Sequence, residues 1–234
     1  MADAGTQARR SAIYLLDQVL GDWTSGSPQL CPPADNKQDT PRINIEARDT
    51  EQVHLCLAVR GLPSEHPHRF TLDLLNTILG EGMSSRLFTE IREKRGLAYT
   101  IHSYAEHFSD SGSIIIYAGM DPRHIDTAVT AILQEMRQLK EKVPGPELAQ
   151  AKESVKGRLL LRMEDNRSVS SWAGGQELLL GHIRTVDEVT SIINAISAED
   201  LQEVAQELFL TDKLSLSTVG PISDEDKLLK LLEL

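Results

Sequence analysis

Short apolar segments of strand length occur in adjacent pairs along this sequence, and longer segments with helical periodicity lie between the pairs. Residues 42–46 and 53–60 form the first pair, which we predict to be antiparallel neighbours, and residues 98–105 and 113–119 form the second. Residues 213–219 add one more strand near the end. Strands adjacent in sequence, with helices grouped between them, favour an antiparallel sheet covered by helices on one face. The predicted fold class is therefore α+β.

The helices are predicted from apolar residues that recur every three or four positions and from residues that favour helix ends. One apolar stripe ends at Gly80 and Gly82, which we interpret as a turn that needs positive φ, and Ser84 is predicted to cap the next helix. Asp121, followed by Pro122, predicts the start of another. The remaining long helices are predicted over residues 146–162, 168–180, 185–195 and 197–208.

The chain divides into three parts by pattern. Residues 1–23 contain one predicted helix, which ends at Gly21. Residues 24–41 carry four prolines and no periodicity, which is typical of a linker. Residues 42–234 form the predicted main domain.

Composition excludes several classes of function. The formal net charge of −11 argues against nucleic-acid binding, because affinity for a phosphate backbone comes largely from clustered Lys and Arg. No apolar run approaches the roughly 20 residues that span a bilayer, so no membrane association is expected. Cys31 and Cys56 form no C-x-x-C pair and are predicted to be reduced thiols. We therefore predict a cytoplasmic location, unless an export signal precedes this sequence.

Two stretches carry a family resemblance. Residues 80–88 read G-x-G-M-S-S-R-L-F, and residues 91–99 read I-R-E-K-R-G-L-A-Y. Together they resemble the C-terminal-domain signature of the pitrilysin/insulinase-type zinc peptidases, the group that includes mitochondrial processing peptidase and insulin-degrading enzyme. Weaker agreement extends the resemblance over about residues 42–220. Residues 1–23 look like the last helix of the preceding domain in such proteins.

The resemblance implies a two-domain proteolytic chamber in which zinc is held by an H-x-x-E-H motif of the N-terminal domain. The motif is absent here, since none of the seven histidines is followed four residues later by another. The chain is therefore predicted to be the non-catalytic half, inactive alone, with zinc in a partner domain or subunit and a peptide as substrate. A homodimer is also possible on this interpretation. The alternative is a non-enzymatic structural subunit of the same fold, similar to the core subunits of respiratory complexes.

The same resemblance assigns roles to Arg92 and Tyr99. In active members an Arg and a Tyr at this spacing contact the zinc-bound substrate. The chemistry is reasonable, because peptide hydrolysis builds negative charge on the carbonyl oxygen and both side chains are hydrogen-bond donors. The structural alternative is that Arg92 pairs with a helix neighbour and Tyr99 fills an edge of the core.

Two groups of histidines are candidate metal sites within the chain. His102 and His107, with Glu106, lie five residues apart in a predicted strand, where odd separations point to opposite faces. His66 and His68 form only a two-ligand pair, whereas zinc usually takes three or four protein ligands. We therefore predict no metal site in this chain.

Overall fold

A five-stranded sheet organises the larger part of the described chain. The computed structural model describes residues 2–24, 26–27, 32–35 and 37–234, with side chains from residue 8 onward. The strand order is β1-β5-β2-β4-β3. The strands are β1 (Arg42–Ala47), β2 (Val53–Arg60), β3 (Thr100–His107), β4 (Gly112–Met120) and β5 (Ser215–Gly220).

The α+β fold class and the antiparallel pairing of β3 with β4 are confirmed. The predicted direct pairing of β1 with β2 is wrong, because β5 lies between them, parallel to β1 and antiparallel to β2. Every second side chain of β2 is buried, so this strand takes a central place with partners on both sides. β1 is more exposed and takes an edge. Closeness in sequence therefore does not decide which strand pairs with β2.

Helices account for most of the remaining described residues. Asp121 caps its helix start by accepting the main-chain N–H of Arg123 at 2.9 Å, as predicted. Ser197 and Asp200 form a reciprocal capping box at the start of the helix predicted over residues 197–208. The α-helices are α1 (Ala2–Leu20), α2 (Arg69–Gly80), α3 (Ile125–Leu139), α4 (Gly145–Arg162), α5 (Asn166–Leu180), α6 (Val186–Ala195), α7 (Ala198–Leu208) and α8 (Glu225–Leu231).

The main core lies between one face of the sheet and the helices α2, α3 and α7. Alternate residues of the central strands point into it, and Leu55, Leu57, Ile114 and Ile116 are at most 1% exposed. The opposite face of β2, β3 and β4 carries polar and aromatic side chains, among them His54, His102, Tyr104 and Tyr117, whose rings contact one another.

A second, smaller apolar cluster lies outside α2. Leu159 of α4 and Val189 and Ile193 of α6 form it, and Phe70 and Trp172 pack against it partly buried. The helices α4 and α6 therefore form an outer wall beside α2.

The chain divides into two compact units, Met1–Pro33 and Ala34–Leu234. In the first unit, α1 ends at Leu20, and the N–H of Gly21 donates to the carbonyl of Asp17 at 2.8 Å. The domain boundaries predicted at residues 23 and 41 stay predictions. Cys31 lies outside the described residues, and Cys56 is a free thiol whose pKa is raised by burial.

Candidate functional site

The segment with the family signature begins at a turn that needs two glycines for different reasons. A methyl group on Gly80 would lie 2.4 Å from Oγ and 2.7 Å from the main-chain N of Ser103, so this glycine allows α2 to approach β3 closely. Gly82 has φ +95, which favours glycine. Of the two glycines, only Gly82 has the predicted positive φ. The predicted cap at Ser84 is wrong, because Ser85 takes the turn position and its hydroxyl donates to the Gly82 carbonyl at 2.7 Å.

A π-helical segment, Phe88–Lys94, follows the turn. Leu87 and Ile91 are fully buried and fix it to the core. The Arg86 guanidinium donates to both carboxylate oxygens of Glu147 on α4, at 2.8 and 2.7 Å, and these hydrogen bonds raise the pKa of Arg86. π-Helical turns occur frequently at functional sites because they change the direction of side chains relative to an α-helix. The segment is therefore anchored on its inner side and free to present its outer side.

Arg92 projects from the outer side of the π-helical segment. Its side chain is exposed, and its guanidinium carbon lies 5.0 Å from the centre of the Phe88 ring, one turn earlier. This cation–π contact orients the guanidinium without using its hydrogen-bond donors. Among the described residues Arg92 makes no ion pair. Its N–H groups are therefore available to a ligand.

Tyr99 stands at the start of β3. Its main-chain N–H donates to the Gly119 carbonyl at 2.9 Å, although Thr100 is the register partner of Gly119. Two residues of one strand thus lie opposite one of the other, which is the arrangement of a β-bulge, a device that redirects side chains near functional sites. The Tyr99 side chain is 62% exposed, which does not fit a role at the edge of the core.

A short loop connects these two segments. The N–H of Leu97 donates to the carbonyl of Ile91 at 2.9 Å, and Gly96 takes φ +60 to close the loop. This bond holds the end of the π-helical segment against the start of β3. Arg92 and Tyr99 therefore extend from two linked segments, and no hydrogen bond joins their side chains in the described chain.

Charge near Tyr99 comes from the end of β4. The pKa of Arg123 is raised, first by its side-chain hydrogen bond to Asp121 and to a smaller degree by Tyr99. The same hydrogen bonds lower the pKa of Asp121 to about 2. An ion pair that stays charged over the physiological range therefore lies in the electrostatic surroundings of Tyr99.

The histidine clusters do not form a metal site within the described residues. His102 lies on the exposed face of β3, whereas His107 is partly buried, with Nδ1 2.7 Å from the Leu62 carbonyl and Nε2 3.0 Å from Asp73. The ring centres of His66 and His68 are 5.7 Å apart, and the main-chain N–H of His68 donates to Nδ1 of His66.

A cleft of about 590 Å³ lies between α2, the outer edge of β3 and the wall made by α4 and α6. The sequence does not predict this cleft, because its lining residues come from five separate elements. The sequence does contain one part of the pattern, because the spacing of four lining residues places them on one face of α4: Val155, Arg158, Leu159 and Arg162. That spacing alone does not tell an open cleft from a packed core.

The fold and this segment define the chain as a C-terminal-type domain of the pitrilysin class. The chain belongs to the family described as the peptidase M16 inactive domain, whose model matches residues 4–155.

Several bacterial relatives are zinc proteases by name. The uncharacterized zinc protease YmxG of Bacillus subtilis is 38% identical over 175 residues, which are 74% of this chain and 42% of that protein. An uncharacterized zinc protease of Mycobacterium leprae is 31% identical over 241 residues, which cover 100% of this chain and 53% of that protein. The chain thus spans about half the length of these relatives.

Solved structures share the fold. A protease from Helicobacter pylori matches with a TM-score of 0.81 and 21% identity, over 91% of this chain and 52% of that one. The peptidase M16 inactive domain from Pseudomonas fluorescens matches with a TM-score of 0.75 and 21% identity, over 84% of this chain and 48% of that one.

Within the part of the chain that is described, every helix is too short or too polar to cross a bilayer.

Proposed function

We propose that this chain is the non-catalytic half of a zinc peptidase and that it offers Arg92 and Tyr99 to the substrate across a shared chamber. Family membership supports the first part. The observation that carries the second is that both side chains, seven residues apart on the family segment, are exposed donors held by an anchored scaffold. A purely structural arginine or tyrosine would be expected to pack or pair inside the domain.

The proposed chemistry follows from charge. Zinc in the partner domain would supply Lewis acidity and an activated water. Hydrolysis of a peptide bond develops negative charge on its former carbonyl oxygen. The guanidinium of Arg92 and the phenol of Tyr99 donate hydrogen bonds to that charge or hold the adjoining peptide groups. Stacking on Phe88 limits the positions of Arg92, so less freedom is lost when the substrate binds.

The proposed partner is a zinc-bearing domain, either on the same polypeptide or in a separate subunit. Relatives about twice as long as this chain favour the same polypeptide. On this proposal residues 1–23 are the last helix of that domain and residues 24–41 are the linker. A homodimer of this chain would contain no H-x-x-E-H motif, and we assign no peptidase activity to it.

The test combines this chain with the part of the Bacillus subtilis zinc protease that it does not match. We expect no hydrolysis of a fluorogenic peptide by the chain alone and turnover by the mixture. In the mixture, Tyr99→Phe removes one donor and should lower kcat about 10²–10³-fold, which corresponds to about 2.7–4 kcal/mol. Arg92→Lys should also lower activity, because an ammonium does not reproduce the planar guanidinium.

Matched controls separate this role from a structural one. Tyr14→Phe makes the same chemical change at a tyrosine that is also 62% exposed, and Arg48→Lys does so at an arginine paired with Glu46. Both should keep full activity, and all four variants should melt within a few degrees of the parent. Full activity of Tyr99→Phe would refute the proposed role and leave the structural subunit as the better reading. The same conclusion would follow if activity were lost only through unfolding.

A further inference from the structure

The outer edge of β3 has main-chain groups that point away from the sheet. The N–H of Gly61 bonds to the Gly112 carbonyl and that of Phe108 to the Ser111 carbonyl, which fixes the alternation of hydrogen bonds along β4. By this alternation Ser103 and Ala105 direct their N–H and C=O groups outward, away from β4. Neither makes a main-chain hydrogen bond outside the sheet among the described residues. Ser103 is only 3% exposed and lies against the end of α2, so the accessible outward groups are those of Ala105.

This edge opens into the cleft. The four consecutive residues 102–105 all line it. Because successive side chains of a strand point to opposite faces, four in a row can share one cleft only if the cleft meets the strand from its edge. An extended chain in the cleft would therefore lie where a sixth strand would pair.

The far wall of the cleft is apolar. Phe70 and Trp172 face it together with Leu159, Val189 and Ile193, which form the smaller apolar cluster. Its volume of about 590 Å³ is within the range of cavities that bind small ligands or short peptide ends. One large aliphatic or aromatic side chain would find a complementary surface there.

Positive charge gathers at the Phe70 end. The guanidinium carbons of Arg69 and Arg184 lie 5.0 and 5.9 Å from the centre of the Phe70 ring. Nε of Arg69 and Nη1 of Arg184 are buried and lack a hydrogen-bond partner in the described chain. Arg69 has only a 3.8 Å ion pair with Asp73, and Arg162, which lines the same cleft, has none among the described residues.

The charge of this region is opposite to that of the whole chain. The molecule carries a formal net charge of −11, whereas the first turn of α2 contains no acidic residue and adds the positive end of its helix dipole. At the other end of the cleft, Arg158 is paired with Glu81 at 2.9 Å. The unmatched donors of Arg69 and Arg184 therefore lie beside the Phe70 ring, which is part of the apolar wall. Asp73 is the acidic lining residue that pairs with Arg69 there.

We propose that this cleft binds the free C-terminus of an extended peptide whose last side chain is apolar. The terminal carboxylate accepts hydrogen bonds from Arg69, Arg162 and Arg184, and the last side chain packs on Phe70 and Trp172. The preceding main chain pairs with the outward groups of Ala105 on β3. The site extends the proposed function, because through it the non-catalytic half would bind substrate or product peptides. It can be tested on the isolated chain without any hydrolysis.

The experiment measures fluorescence anisotropy with a peptide that carries fluorescein at its N-terminus and ends in leucine with a free carboxylate. We expect it to bind at least tenfold more tightly than the same peptide with a C-terminal amide. Arg162→Gln and Arg184→Gln should each lower the affinity for the free-acid peptide several-fold and leave the affinity for the amide peptide unchanged. Arg48→Gln, at an exposed arginine just after β1, is the matched control and should change the affinity for neither peptide.

Two further arms test the strand edge and the class of ligand. Ala105→Pro removes one outward N–H and keeps the pairing of β3 with β4, so it should lower the affinity for the peptide. The melting temperature of the variant shows whether it is still folded. Dodecanoate tests whether any apolar carboxylate suffices, and it should compete only weakly. Equal affinity for acid and amide, or no effect of the two arginine variants, would overturn the proposal. Competition by dodecanoate as strong as that of the unlabelled peptide would overturn it in favour of an amphiphile site.

Discussion

Replacing Gly80 by alanine tests how α2 is fitted against β3. The added methyl group would lie 2.4 Å from Oγ, 2.7 Å from N and 2.8 Å from Cβ of Ser103. The hydroxyl can rotate away, but the main-chain nitrogen and Cβ belong to a strand paired in the sheet. Since ordinary contacts between heavy atoms are about 3.5–4.0 Å, the end of α2 must move by about 1 Å.

The expected size of the effect follows from two opposing contributions. Overpacking of this kind typically destabilises a protein by about 1–3 kcal/mol. Alanine gains at most about 1 kcal/mol over glycine in a helix, and less at the last residue. Gly80→Ala should therefore lower the free energy of unfolding by about 1–3 kcal/mol. In a chain of this size each kcal/mol lowers the melting temperature by about 2–4 °C.

The matched control is Gly157→Ala in the middle of α4, where nothing lies within 4 Å of the added methyl group. This change should stabilise the chain by up to about 1 kcal/mol, because only the helix preference acts. Gly82→Ala should destabilise by about 1–2 kcal/mol for a different reason, since φ +95 strains any residue with a Cβ. Circular dichroism during thermal and urea unfolding gives all three values. If Gly80→Ala were as stable as the parent, or changed in the same direction as Gly157→Ala, the close fit of α2 on β3 would be refuted.

Three other results are expected. Arg86→Ala should lower the free energy of unfolding by about 1.5–3 kcal/mol, because the ion pair with Glu147 is largely shielded from solvent, with side chains 16% and 32% exposed. A double-mutant cycle with Glu147→Ala measures the coupling between the two side chains, and a coupling energy below about 0.5 kcal/mol would contradict this. Burial raises the pKa of Glu135 above its usual 4.5, so the stability that it contributes is present below that pH and is lost as the pH rises through the folded-state pKa. The stability of Glu135→Gln relative to the parent should therefore increase as the pH rises above 4.5, and a pH-independent difference in melting temperature would be evidence against it. After mild chelation and dialysis, elemental analysis of the purified chain should give well under one zinc per chain, and one tightly held zinc would redirect attention to the histidines of β3.

Local patterns predicted most elements, because each depends on residues close together in sequence. The cap at Asp121 needs only the N–H of Arg123, two residues on, and the box at Ser197 needs only Asp200. Ser84 was misjudged as a cap because its neighbour Ser85 has the same hydroxyl, and the φ of Gly82 decides which of the two faces the turn.

The candidate site was predicted only in part. Arg92 and Tyr99 could be selected from sequence because the segment between them is continuous and resembles a known signature. Their exposure could not be predicted from sequence, because it depends on the burial of Leu87 and Ile91 and on a β-bulge opposite Gly119. The roles assigned to them stay predictions.

The sequence by itself determined the α+β class, the helix starts at Asp121 and Ser197, and the family, because alternation, periodicity and caps are short-range properties of the chain. Only the tertiary structure decided that β5 separates β1 from β2, since strand partners are chosen by the burial of whole faces across about 170 residues of sequence. It also decided the cleft beside β3. The arginines that line that cleft come from α2 and α4, and Arg184 of the loop before α6 lies 5.9 Å from the ring of the lining residue Phe70. These charges come near one another only because the helices pack together.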